Sequence, residues 1–154
     1  MRPLARPAFL AAALAVLACG GGPVRPAALD TKHDACRSCR MPVSDPRVAA
    51  QLAAPGEEAL FFDDIGCLRD FLGSGQPPKP GAVAFVADHR TGAWVPATGA
   101  VFSRCPSVET PMGSHLLAWT DDASRSADAA RQGCAPLEGT AVFGPGGPPS
   151  GRKG

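Results

Sequence analysis

What this chain lacks narrows its function before any motif is considered. It has no basic run and no interleaving of aromatic with basic residues, so nucleic acid is not an expected partner. No Ser-His-Asp order, zincin pattern or Gly-rich phosphate loop after a strand is present, and nothing argues for an enzyme. After residue 18 no apolar stretch approaches the roughly 20 residues that a membrane-spanning helix needs. Methionine is scarce: besides the initiator there are only Met41 and Met112. The one C-x-x-C, Cys36 to Cys39, is followed by Arg40 and not by the His of a haem attachment site. It has no second paired motif that would complete a zinc site. The polar residues before it and Pro42 after it do not fit a thioredoxin-like helix start.

The N-terminus is where apolar residues concentrate. Arg2 and Arg6 precede an apolar run over residues 8–18, too short to span and of the length of a signal peptide. Val16, Leu17 and Ala18 lead to Cys19 and Gly20, a junction that resembles a lipobox. Residues 1–18 are therefore expected to be a lipoprotein signal, with Cys19 lipidated and the mature chain anchored in the bacterial envelope facing the periplasm. Gly20 in place of Asp favours the outer membrane over the inner. Loss of Arg2 and Arg6 turns the formal charge from +1 to −1. Residues 19–32 read as a flexible tether and residues 144–154, rich in Gly and Pro, as a disordered tail.

Between these ends the pattern recurs. An apolar strand at 59–62 leads to Asp63 and Asp64, then to Ile65, Leu68, Phe71 and Leu72 at helical spacing, with one of the two aspartates as N-cap. A strand follows at 82–86. About 55 residues later a strand at 116–119 leads to Asp121 and Asp122, a helix over 123–132 stopped by Gly133, and a closing strand at 140–143. Further strands at 47–53 and 100–104 precede each copy. The expected architecture is α+β, with two related ββαβ modules over 33–90 and 91–143. Phe61, Phe62, Phe85, Trp94, Phe102, Trp119 and Phe143 are expected in its core, while His33 and His89 stand in polar surroundings.

The chemistry precedes each module. Cys36, Cys39 and Met41 put two thiols and a thioether within six residues, and Met112 and His115 lie in a turn before the strand at 116–119. Spacing alone leaves metal binding and a disulfide equally open, since an exported protein meets an oxidising compartment. The two methionines, each beside a proline and off any core periodicity, favour a soft ion, Cu(I). Asp63 and Asp64 have a sufficient explanation as caps. Cys67 points towards the metal motif or fills a gap, and His115 is a third ligand or a solvated loop residue.

Four blocks together carry a family resemblance. They are C-x-x-C-x-M at 36–41 continuing through Pro42 to Pro46, the string FFDDIGC at 61–67, DHRTGAW at 88–94, and TPMGS at 110–114. Their order behind a lipobox resembles the NosL family, the nitrous oxide reductase accessory lipoproteins. The resemblance implies a membrane-tethered, Cu(I)-binding metallochaperone of two related ββαβ modules. It would deliver copper to the copper–sulfide site of nitrous oxide reductase, with an ABC-type maturation complex as co-worker. Its expected site is built from Cys36 or Cys39 with Met41 and Met112, with Asp63, Asp64, Cys67 and His115 as neighbours or further ligands. Arg40 and His115 stand where the family often has Gly. Cys105 and Cys134 lie outside its pattern and are candidates for a disulfide. The competing reading is a disulfide-stapled structural or thiol-redox lipoprotein of the same fold.

Overall fold

The computed structural model describes residues 22–151; the signal segment and Cys19 lie outside the described residues. Short strands rich in Val, Leu, Phe and Ala build two antiparallel sheets. The first contains β1 (Ala50–Ala53), β2 (Leu60–Phe62), β3 (Val83–Ala87) and β4 (Trp94–Pro96), in the order β2-β1-β3-β4. The second contains β5 (Val101–Arg104), β6 (Leu116–Trp119) and β7 (Ala135–Leu137), in the order β6-β5-β7. Helix α1 (Ile65–Gly73) joins β2 to β3, and α2 (Asp122–Ala127) with a 3-10 turn (Ala129–Arg131) joins β6 to β7. Helix α3 (Gly139–Phe143) follows β7. Strand, strand, helix and strand therefore occur in the same order in each sheet, with the first strand central: β1 between β2 and β3, and β5 between β6 and β7. No helix among the described residues is long and apolar enough to cross a membrane.

One apolar core serves both sheets. Phe62, Ile65, Leu68, Ala84 and Val86 of the first pack with Phe102, Leu116 and Ala118 of the second and with Val142 of α3. Phe62 and Phe102 lie in this core with Phe143 half-buried against it. Trp119 lies in a second cluster, Phe61 lies in a third with half-buried Trp94 against it, and Phe85 is buried.

Several expected boundaries shift. The closing strand of the second unit is β7, not residues 140–143. Pro136 hides β7 in the sequence, because an edge strand is where a residue without an N–H is tolerated. Residues 140–143 instead lie in α3, where Phe143 stacks edge-on against Phe102 at 5.7 Å between centroids. The helix expected over 123–132 breaks at Asp128, whose carboxylate caps the 3-10 turn. Strand β4, counted with the second module, pairs with β3. Both expected flexible ends are in part docked. Gln51, fully buried in β1, exchanges two hydrogen bonds with the backbone of Ala27, at 2.8 and 3.1 Å. Ser150 pairs with Val83, and the N–H of Ala84 donates to the carbonyl of Pro149 at 2.9 Å.

Buried carboxylates join apolar contact in tying the two sheets to each other. Asp88, at the end of β3, is fully buried and receives six donors. Three come from its own turn, Arg90 and Thr91, and three from the second unit: Thr120 N–H and Oγ1 and Ser124 Oγ, at 2.7–2.9 Å. Beside it His89 is buried. Its Nδ1 lies 2.7 Å from Asp128, which also accepts from Trp119 Nε1 at 2.9 Å.

Burial opposes ionisation of Asp88, but the donors from Thr120, Ser124 and Thr91 outweigh it and hold the carboxyl far below the usual carboxylate range. A group depressed in the fold stabilises it fully above its unfolded pKa of about 4 and loses that contribution as the pH falls towards its folded value. Asp88→Asn is expected to cost about 2 kcal/mol at neutral pH. Urea denaturation should show that deficit at pH 7 and a narrower one near pH 3; an equal deficit at both would contradict the role assigned to the charge.

Candidate metal centre

The site forms where a tight loop meets the start of α1. Residues 34–43 fold back on themselves: Ala35 pairs with Pro42, Cys36 N–H donates to Met41 O at 2.8 Å, and Arg40 N–H to Cys36 O at 2.9 Å. Arg37 N–H donates to Phe61 O at 2.7 Å and moors the loop to the end of β2. Within the turn Cys39 N–H points at Cys36 Sγ, 3.5 Å away. The return needs a left-handed residue after the second cysteine, and Arg40 takes φ +67°.

From the other side, β2 delivers two adjacent aspartates whose side chains diverge. Asp64 is the N-cap of α1 and accepts from Gly66 N–H. It also accepts Thr110 Oγ1 at 2.6 Å and Met112 N–H at 3.2 Å, both from the β5–β6 connection. Asp63, expected to share the capping role, faces the cysteines instead. It is 1 % exposed, and Cys39 Sγ donates to its carboxylate at 3.4 Å. No ion pair among the described residues involves it. Cys67, four residues on, rises from the first turn of α1 to the same point. The ligand atoms of Cys36, Cys39, Asp63 and Cys67 all lie within 4.8 Å of one another. Cys36, Asp63 and Cys67 are buried and Cys39 is partly open to solvent. All three cysteines are free thiols.

This arrangement can hold a metal ion. Three soft sulfurs and one carboxylate converge, and a buried carboxylate facing only thiols is costly without a cation. Burial, against the Met41 N–H and with Cys36 and Asp63 adding to it, raises the Cys39 thiol. Burial first, then the hydrogen bond with Asp63, pushes the Cys67 thiol far above its ordinary value. Cys39 and Cys67 are thus held as thiols when metal-free, and metal binding there must displace their protons.

The remaining candidates are not among these four residues. Met41 and Met112 are both at the surface, 55 % and 49 % exposed, and are the two exposed large hydrophobic side chains among the described residues. The backbone of the Met112 loop is tied to Asp64, next to Asp63. His115 is no part of the cluster: its Nδ1 is tied to Val108 O at 2.8 Å within its own loop, and it takes φ +55°. Cys105 and Cys134 form a disulfide, Cα to Cα 4.2 Å, joining the end of β5 to the start of β7. Cys67 and Asp63 are the ligand positions given least weight in the sequence. Their spacing of four, across the first turn of a capped helix, is the signal that could have found them.

Gly66 explains how closely the loop approaches. A Cβ there would stand 2.6 Å from Ser114 Cβ and 2.9 Å from Asp64 Oδ1. No family profile, curated protein or solved structure matches this chain. Gly66→Ala is expected to push the 110–115 loop off α1 and cost about 1–3 kcal/mol in thermal or urea denaturation. A variant as stable as the parent would show that this contact does not hold the loop.

Proposed function

We propose that this chain is a Cu(I)-binding metallochaperone, tethered through Cys19 and facing the periplasm, that passes its ion to another protein by ligand exchange. The convergence of Cys36, Cys39 and Cys67 beside the buried Asp63 is the observation that carries this reading. Soft thiolates select a soft ion. Charge argues for few ligands: three thiolates and Asp63 around one monovalent ion would bury about three net negative charges. Two thiolates, with the third sulfur bound as a neutral thiol, bury fewer. Low coordination leaves the ion open to an incoming ligand. Cys39, the partly exposed sulfur, is the natural point of exchange, and Met41 and Met112 offer thioethers at the rim.

The resemblance to the NosL family supplies the recipient, the copper–sulfide site of nitrous oxide reductase working with an ABC-type complex, and the two related modules fit it. One backbone feature supports it independently. Arg40 and His115, which stand where the family often has Gly, are the two non-glycine residues with positive φ among the described residues. A left-handed position is where Gly is the default. The direction of the chain is also consistent with a tether. Gly22 lies beside the β1–β2 turn at residues 53–56, whereas Phe62, the residue before Asp63, pairs with Ala50 at the opposite end of β1. An anchor at Cys19 would hold the thiols away from the bilayer, outer membrane by the Gly20 criterion.

Asp63 favours a second reading. With three cysteines it makes the four-donor set of a closed Zn(II) site, and so supplies what the single C-x-x-C lacked. An anaerobic titration of the mature chain against a competing chelator separates the two, run with Cu(I) and with Zn(II). One Cu(I) per chain is expected, weakened at least about tenfold in Cys67→Ser, Cys39→Ser and Met112→Ala. Loss of Zn(II) affinity in Asp63→Asn with Cu(I) affinity untouched in Met112→Ala would instead establish a structural zinc site. Absence of binding with Cys36 and Cys39 oxidised to a disulfide would favour the stapled lipoprotein.

A further inference from the structure

The second sheet carries a feature independent of the thiol cluster. A cleft of about 140 Å³ opens between β5, α2 and the start of β7, lined by Ser103, Arg125, Arg131, Cys134 and Pro136. At its floor is Ser103, 1 % exposed, whose hydroxyl is the one buried side-chain N or O atom without a hydrogen-bond partner among the described residues. Strand alternation turns Ser103 away from Phe102, which enters the shared core, and onto the face of Cys105. Cys105 is bonded to Cys134 in the cleft wall. Opposite Ser103 in the ladder stands Pro136, which has no N–H to offer.

The other polar groups are two guanidiniums. Arg125 gives one nitrogen to Asp122, at 2.8 Å, an aspartate whose side chain is 73 % exposed. Arg131 donates through Nε to the carbonyl of Ser126 at 3.0 Å and has no carboxylate partner among the described residues. Asp128, the nearest acidic residue in sequence, is engaged by His89 and Trp119. A hydroxyl proton and unspent guanidinium N–H groups are donors. The missing component is therefore an acceptor with several oxygens and negative charge. A water needs only about 10–15 Å³ of such space, so the cleft takes an ion of four oxygens. The capped 3-10 turn and the disulfide hold the arginine-bearing segment against β5, so little ordering is required on binding.

We propose that this cleft binds a phosphate-class oxyanion, free or as the phosphate of a monoester, held by Ser103, Arg125 and Arg131. The full mature chain is titrated with sodium phosphate and, separately, with glycerol 3-phosphate at constant ionic strength, with sodium chloride as control. The amide of Ser103 and the Nε signals of Arg125 and Arg131 are followed by NMR. Saturable shifts at all three are expected, with affinity reduced at least about tenfold in Arg131→Gln and about fivefold in Ser103→Ala. Ser103→Ala should melt no lower than the parent, because it removes a hydroxyl that is unpaired when the cleft holds no anion. Tighter binding of phosphate assigns a free ion, and tighter binding of glycerol 3-phosphate a monoester; either supports the site. Linear, unsaturating shifts shared with chloride, or unchanged binding in both variants, would overturn it.

Discussion

A carboxylate in the protein interior must find donors or a cation, and the start of α1 presents two of them side by side. Asp64 satisfies its charge from within the chain, with the N–H groups of Gly66 and Met112 and the hydroxyl of Thr110. Those same contacts bring the β5–β6 connection onto the first sheet. With every turn of that corner committed to Asp64, Asp63 is left facing inward, and what it meets is sulfur: Cys39 from the preceding loop and Cys67 from the helix. The thiol cluster is thus a consequence of how α1 is capped. Gly66 belongs to the same constraint, since a side chain there would occupy the space that Ser114 and the Asp64 carboxylate fill.

The two units lean on each other through matched devices. Asp64 of the first accepts from the second, and Asp88, leaving β3, accepts from the turn that opens α2. Each ties a helix start in one unit to a connection in the other, so the sheets share one core without a strand passing between them. The second unit lacks the chemistry of the first. Its equivalent cap, Asp121, accepts Ser124 N–H, and its cysteines are joined in a disulfide that braces β5 against the segment before β7. One unit is built to present thiols and the other to hold the loop that flanks them.

Much of this was legible in the sequence, for reasons that are local. The paired aspartates before apolar residues at helical spacing announce capped helices, and alternating or continuous apolar runs announce β1, β2, β3, β5 and β6. That Met41 and Met112 stand outside the core followed from their neighbouring prolines and the lack of core periodicity. What could not be read depends on tertiary context. Thr140, Ala141, Val142 and Phe143 look like a strand by composition, yet only Val142 is fully buried and Phe143 has a ring to meet across the core, which suits a short helix. The docking of Ala27 on the Gln51 side chain and of Pro149 on β3 engages the backbone of the two end segments, which carries no residue signature. Of the candidate metal site, the Cys36–Cys39 pair was plain. Its completion by Asp63 and Cys67 was not, because a capping aspartate and a helix cysteine each have an adequate local explanation.

The central claim is that Cys36, Cys39, Asp63 and Cys67 form one metal centre selective for a soft monovalent ion. X-ray absorption at the copper edge of the Cu(I)-loaded mature chain tests it most directly. The account predicts a shell of two or three sulfur neighbours, with one sulfur fewer in Cys67→Ser. A shell made mainly of nitrogen or oxygen, or one unchanged by loss of Cys67, would contradict it.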